Sequence, residues 1–388
     1  MEIAILTTVV FLASFVAVAA IHPHLVRFAK LKNIVDNPNT RKLQMRPVPV
    51  LGGIAILFGI VIGIGITATY AAECAELLLI LTAMIVMTYI GALDDVLDVR
   101  PTVRLAVQIA TTLLLIYGGG ISLDSFHGVW GIAQLPDYAA IPLTIFATVG
   151  IINALNLIDG ADGLFSIYCI SVCSIFAMIF FNADNTALFL LAISAIGSLI
   201  PFLLHNAFGR ESKMFVGDGG SLLMGIMIAA FVMEVVSNDI YIDVVGKSNI
   251  SIVPLVLSLL SIPVFDTLRV MTMRIAKGIS PFIGDKTHLH HLFIGLGISH
   301  ISTAVIITLL NLTVVASLYL TAHAGGSVDT QFYTVIVIAA LLDWGIYALV
   351  SLLDRVIPEK MNRLRIWKSQ HRPSRTSFDW LRKIVDRV

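Results

Sequence analysis

Apolar stretches long enough to cross roughly 30 Å of hydrocarbon recur along this chain, separated by short charged segments, and this repetition limits its possible folds more than any other feature. Eleven are present, near 3–21, 49–70, 77–92, 104–120, 139–155, 164–181, 187–204, 215–236, 250–271, 301–321 and 331–352. With 57% hydrophobic and 13% charged residues over 388 positions, the chain departs from a soluble domain, where roughly a quarter are charged. An all-α, polytopic integral membrane protein of about 11 transmembrane helices is expected, because a helix satisfies its own backbone in lipid. Residues 1–354 are expected to form one transmembrane domain and 355–388 a basic tail.

The formal net charge is zero, yet the cations are sorted along the chain. If the eleven spans alternate in direction, segments 22–48, 93–103, 156–163, 205–214, 272–300 and 353–388, with adjoining helix ends, hold 24 of the 25 Lys and Arg residues. Only Lys247 falls opposite. The positive-inside rule assigns the basic side to the cytoplasm, with the N-terminus periplasmic and the C-terminus cytoplasmic. Glu2 and no cation precedes the first apolar run, which therefore reads as a retained helix and not a signal peptide. The ten Lys and Arg of the tail read as attraction to anionic headgroups. Cys74, Cys169 and Cys173 read as packing residues, since the last two lie within one apolar run. Nothing in the charge pattern points to nucleic acid.

Five segments on the basic side carry unusual chemistry for membrane loops. The first runs from Asp36 through Arg41 and Lys42 to Pro47, Pro49 and Gly52-Gly53, either a charged anchor with turn residues or a phosphate contact. The second, Gly91-Ala92-Leu93-Asp94-Asp95, ends an apolar helix on adjacent carboxylates, which must be paired, solvated or bound to a cation; Arg100 and Arg104 are the ordinary ion-pair candidates. The third, Asn153 to Gly163, places Asn156, Asp159 and Asp162 among glycines, oxygen ligands at a spacing that suits a hard cation such as Mg²⁺. The fourth, Phe215 to Ser221, sets Asp218 among three glycines at a helix mouth, where a phosphate or metal can approach closely. The fifth contains His288, His290 and His291 beside Lys286; without a nearby cysteine, anion binding or proton exchange suits it better than zinc.

Two function classes compete. A transporter places its ionisable groups near the bilayer midplane, often in paired halves. Here the clusters lie on one face, as an enzyme joining a soluble cytoplasmic reactant to a lipid headgroup requires. Carboxylates for Mg²⁺ with cations and glycines for phosphates are the parts of phosphoryl transfer. The residues alone lead to a metal-dependent membrane phosphotransferase and no further.

Leu93-Asp94-Asp95, Asn153 to Gly163, Phe215 to Ser221 and His288 to His291, in this order and on one side, resemble the polyprenyl-phosphate N-acetylhexosamine 1-phosphate transferase family. The resemblance spans nearly the whole chain, and Thr287 to Leu292 is similar to the branch using UDP-N-acetylglucosamine. It implies transfer of N-acetylglucosamine 1-phosphate to undecaprenyl phosphate with release of UMP, at the bacterial inner membrane, opening O-antigen or enterobacterial common antigen assembly. Another UDP-N-acetylhexosamine donor is the alternative. The implied cofactor is Mg²⁺, with Mn²⁺ able to substitute, held by Asp218 and Asn156. Asp94, Asp95 and Asp159 are the implied catalytic group. Asp162, Arg104, His288, His290 and His291, with Arg41 and Lys42, are the implied substrate-binding group. Arg104 departs from the lysine common in relatives, and a homodimer is plausible for the family. Direct attack by the lipid phosphate and a two-step route through Asp159 both fit these residues.

Overall fold

The computed structural model describes residues 2–38, 46–67, 77–280, 286–370 and 379–386. Arg41, Lys42 and Cys74 lie outside the described residues. The chain is almost entirely helical, in the order α1 (Glu2–Leu31), β1 (Val35–Asp36), β2 (Val48–Pro49), α2 (Gly52–Thr67), α3 (Leu77–Leu97), α4 (Pro101–Gly119), α5 (Asp137–Ile158), α6 (Leu164–Asn182), α7 (Thr186–Phe208), α8 (Gly217–Ser237) and α9 (Ile240–Gly246). There follow α10 (Ile252–Leu259), α11 (Ser261–Ala276), α12 (Leu289–Gly295), α13 (His300–His323), α14 (Val328–Ala340), a π-helical turn (Leu341–Gly345), α15 (Ile346–Val356), α16 (Pro358–Gln370) and α17 (Asp379–Val385).

Among the described residues, each of the expected apolar stretches falls on helical chain, but 250–271 is divided between α10 and α11 and 331–352 passes through the π-helical turn. Among the described residues, nine helices are long and apolar enough to cross a membrane, and α10 with α11, bent by 69°, makes a tenth if the pair is one span. Helix α2, at 16 residues, is the remaining, shorter apolar helix. The protein is a multi-pass, all-helical membrane protein. The first helix runs past Pro23 to Leu31, ten residues beyond the apolar run, because the chain there stays helical while turning basic.

Helix α8 is the hub: 94% of its apolar window is buried, against 17% for α1, and it packs against α2, α3 and α5. Lipid tails are as apolar as leucine, so such helices associate through close packing at small residues. A Cβ on Gly53 of α2 would lie 2.2 Å from the Gly220 amide nitrogen, and one on Gly91 of α3 would lie 2.5 Å from the Asp218 carbonyl. These approaches bring the three helix ends that carry Gly53, Asp94-Asp95 and Asp218 together.

The Pro-rich segment before α2 has a structural task. β1 and β2 pair antiparallel (Val35 with Pro49, Asp36 with Val48). The Phe215 amide donates to the Pro49 carbonyl, and the Gly52 and Gly53 amides donate to the carbonyls of Phe215 and Val216. Backbone bonding thus fixes the entry to α8 from outside that helix.

The tail returns to the membrane domain. Asp386, at the end of α17, accepts from the amides of Arg210, Glu211 and Ser212 and from the Ser212 hydroxyl, at 2.9–3.1 Å. The same loop receives Lys30 Nζ at the Glu211 carbonyl and lies against His22 Nε2 at the Ser212 carbonyl, both from α1. Burial works to raise the Asp386 pKa, but the amides of Ser212 and Arg210 outweigh it and hold the carboxyl below its ordinary value. The contribution is therefore complete above the unfolded carboxylate pKa of about 4 and is lost as pH falls through the lower folded value. Asp386→Ala is expected to weaken this clamp by about 1 kcal/mol, the net worth of such partly exposed bonds. Amide exchange at residues 210–212 should accelerate several-fold at neutral pH, and the wild-type loop should approach the variant's behaviour only in strong acid.

Candidate active site

Five of the expected residues converge where α3, α4, α5 and α8 end. Arg104, in the first turn of α4, donates through Nη1 to Asp94 Oδ2 at 2.7 Å and to Asp218 Oδ2 at 3.3 Å. Asp94 Oδ1 accepts from the Val99 amide at 2.8 Å, closing the turn between α3 and α4. Asp95 faces the N-terminus of α8, its two oxygens accepting from the amides of Asp218 at 3.0 Å and Gly219 at 3.2 Å. A carboxylate there meets orphan N–H groups and the positive end of the helix dipole. Asn156, in the last turn of α5, donates through Nδ2 to Asp218 Oδ1 at 2.6 Å and to Ser221 Oγ at 2.8 Å. Asp94 and Asp95 thus do different work: one pairs with a cation, the other caps a helix.

The acidic turn after α5 adjoins this cluster. Burial, followed by the charges of Asp218, Asp162 and Asp95, pushes the Asp159 pKa up to about 8. Asp162 moves the other way: burial alone would raise it, but the His300 hydrogen bond and the Lys213 charge outweigh that and lower it. Lys213 Nζ lies 2.6 Å from Asp162 Oδ2, and His300 Nδ1 lies 3.2 Å from the same oxygen. Asn206 ties the turn to the loop before α8, accepting from the Gly163 amide at 2.7 Å and donating to the Met214 carbonyl at 2.9 Å.

The histidine segment covers this turn. A Cβ on Gly160 would lie 2.0 Å from His290 Nε2, so only a glycine admits the ring there. The rings of His288 and His290 are parallel at 5.8 Å, and His290 and His291 are 4.2 Å apart. His288 and His290 are buried, whereas His291 is partly exposed. Burial and the neighbouring His291 and His288 lower the His290 pKa to about 3, so it is neutral at physiological pH and offers a hydrogen bond without charge. His288 Nδ1 lies 2.7 Å from Asp266 Oδ2, and Asp266 also contacts Arg269, itself bonded to Asp343.

Lys213, Asn206, His300 and the Asp266–Arg269–Asp343 group escaped the reading of motifs, and Ser221 was named only as the end of one. Asp266, Arg269 and Asp343 had a usable signal, being ionisable residues inside or at the edge of apolar helices, where such groups are costly and kept for function. Among the described residues no three His, Cys, Asp or Glu side chains are placed to hold a metal ion. The donor chemistry nonetheless suits a hard cation bound chiefly through substrate: Mg²⁺ characteristically takes one or two carboxylates and completes its shell with phosphate and water. Asp218 supplies such a carboxylate, and Asn156 turns its nitrogen, not its oxygen, toward it.

Known proteins resemble this chain in sequence. Residues 77–236, which include α3 and α8, match the family model described as glycosyl transferase family 4. The chain is 32% identical over 288 residues, 73% of its own length and 75% of the relative's, to the undecaprenyl-phosphate alpha-N-acetylglucosaminyl 1-phosphate transferase of Escherichia coli O157:H7. It is 30% identical to the Yersinia pestis protein of the same name, over 71% of this chain and 73% of that one. A Bacillus subtilis (strain 168) protein described as a probable undecaprenyl-phosphate N-acetylglucosaminyl 1-phosphate transferase is 29% identical, over 78% and 81%. With its acidic cluster gathered on α3, α5 and α8 and these similarities along most of its length, the chain belongs to the polyprenyl-phosphate N-acetylhexosamine 1-phosphate transferase family within glycosyl transferase family 4.

Proposed function

We infer that this protein transfers N-acetylglucosamine 1-phosphate from UDP-N-acetylglucosamine to undecaprenyl phosphate, releasing UMP and leaving a lipid-linked pyrophosphoryl sugar. The observation that carries the reading is the single hydrogen-bonded cluster of Asp94, Asp95, Arg104, Asn156 and Asp218, drawn from four helix ends. Nine long apolar helices among the described residues, the bent α10–α11 pair and the shorter α2 are compatible with eleven passes, and if these alternate, 24 of 25 cations fall on one side, which supports a site facing the cytoplasm at the bacterial inner membrane. The product's chemistry suits the start of O-antigen or enterobacterial common antigen assembly.

Phosphoryl transfer depends on positioning and charge neutralisation. Asp218 is the residue that would hold Mg²⁺ (or Mn²⁺), with Asn156 joining through Oδ1 after its amide turns. Bound there, the ion would neutralise the donor pyrophosphate. Arg104, the cation of the cluster among the described residues, releases one of its two carboxylates to meet phosphate; its planar fork grips two oxygens where a lysine would grip one. Asp95 holds α8 by its amides, so Asp94 is the better placed of the two to orient the acceptor. The pair Asp162–Lys213 is a ready anchor for the nucleotide, and His291 is the histidine best exposed to the sugar phosphate. Arg41 and Lys42, which lie outside the described residues, are proposed for the incoming phosphate on their charge and their place in the sequence.

Direct attack of a lipid-phosphate oxygen on the β-phosphorus is favoured over a covalent route through Asp159. Burial of Asp159 disfavours its ionised, nucleophilic form. Purified protein with undecaprenyl phosphate, Mg²⁺ and a panel of UDP-sugars should release UMP with UDP-N-acetylglucosamine. Silence with every hexosamine donor, together with solute uptake into vesicles, would replace the enzyme by a transporter. Exchange of labelled UMP into the donor without lipid would restore the covalent route.

A further inference from the structure

The least expected group in the molecule is a buried set of charges joining three separate segments. Asp266 and Arg269 lie on α11, Asp343 in the π-helical turn and His288 at the mouth of α12; all four are 4% exposed or less. Arg269 is their centre. Its Nε donates to Asp343 Oδ2 at 3.0 Å, and its Nη2 bonds Asp266 Oδ1 and the Thr287 carbonyl, the latter at 3.0 Å. The Tyr347 ring lies 4.2 Å from its guanidinium carbon. Asp266 then turns to the histidine segment, accepting from the Leu289 amide at 3.0 Å and facing His288 Nδ1 at 2.7 Å.

Charges in such a place are poor stabilisers, since well-packed apolar side chains of similar volume usually do as well. Their geometry, by contrast, is demanding. Asp343 is completely buried although Leu341 and Trp344 beside it are 59% and 42% exposed, and the π turn is what rotates it inward. A carboxylate against Nδ1 also selects the imidazole tautomer with hydrogen on that nitrogen.

The geometry points to a positioning relay: Asp343, through Arg269 and Asp266, fixes His288 and with it the histidine segment over Gly160 and the acidic turn. His288 is the anchor of this segment, and His291 is the histidine it presents to the donor. The inference rests on the transferase reading only for its kinetic arm. The donor pyrophosphate would meet a histidine segment held in register from the last membrane helix, whereas the lipid phosphate, met at Asp94 and Arg104, would not sense it.

Asp343→Asn keeps the shape and removes the charge. It should raise the KM for UDP-N-acetylglucosamine about tenfold and leave the KM for undecaprenyl phosphate and the elution profile unchanged. In a His288→Gln background the same substitution should have no further effect on donor KM, because the relay then has nothing to hold. Multiplying losses in the double variant, or equal changes in both KM values, would reduce the group to a general structural role. Should Asp343→Asn fail to fold, Tyr347→Leu removes only the ring stacked on Arg269, and a several-fold rise in donor KM alone is expected; an unchanged donor KM overturns the proposal. Amide exchange provides an arm independent of activity. Asp343→Asn should accelerate exchange at residues 286–295 and not at 210–220, and unchanged exchange at 286–295 sinks the relay whatever the substrate. A wild type that releases no UMP sinks the transferase reading and leaves this exchange test standing.

Discussion

Asp218→Asn is expected to lower Mg²⁺-dependent turnover on the order of a thousandfold, equivalent to about 4 kcal/mol of lost transition-state stabilisation. Asp218 is where the cluster closes: its carboxylate meets Arg104 and Asn156, while its own amide meets Asp95. The amide contact survives the substitution, so the N-terminus of α8 stays capped and the protein should elute and melt like the wild type. What disappears is an anionic oxygen for the cation, and Asn156 then faces a group that no longer carries charge. A titration of Mg²⁺ against initial rate separates the outcomes: near-normal activity at the wild-type Mg²⁺ optimum would remove Asp218 from the metal site. Partial recovery at high Mg²⁺ would fit a weakened but surviving ligand.

Gly53→Ala should cost about 3 kcal/mol in stability, the upper part of the range for overpacking, and should abolish transfer as well. The obstacle is backbone. The added methyl would sit 2.2 Å from the Gly220 amide nitrogen and 2.4 Å from the Gly219 carbonyl carbon, so no rotamer change relieves it. Helix α2 or the first turn of α8 must move, and that turn carries Asp218 and bonds Asp95. Thermal unfolding followed in detergent tests the first effect and UMP release the second. Gly65→Ala, on the same helix with open space around it, is the control and should leave both unchanged.

The helices were legible because apolar run length is a local property: among the described residues the stretches located by composition lie on helical chain, though the one at 250–271 is divided between two helices. Their ends were less so. Pro23 does not stop α1, which runs on to Leu31, whereas Pro263 leaves the Leu259 carbonyl without a helical donor at the bend, and Tyr168 and Asn311 take it up. In the site, Asp94, Asp95, Asn156 and Asp218 announced themselves as clustered polar residues among glycines. Lys213 and His300 are single residues near helix ends, and their partnership with Asp162 spans 51 and 138 positions. Arg269 lies at the edge of an apolar run, and its partner Asp343 is 74 positions away. Pairings of this kind come from helix packing, which a one-dimensional pattern does not contain.

The clamp at Asp386 has a bearing on how a ribosome makes this protein. Chains are delivered from the N-terminus and insert as they emerge, so the loop at 210–212 is threaded long before its acceptor exists. It waits through the synthesis of α8 and every later membrane segment. The entry to α8, already tied to Pro49, gains its last fastening only when residue 386 leaves the exit tunnel, and a fusion partner placed just after α17 would compete for that final docking.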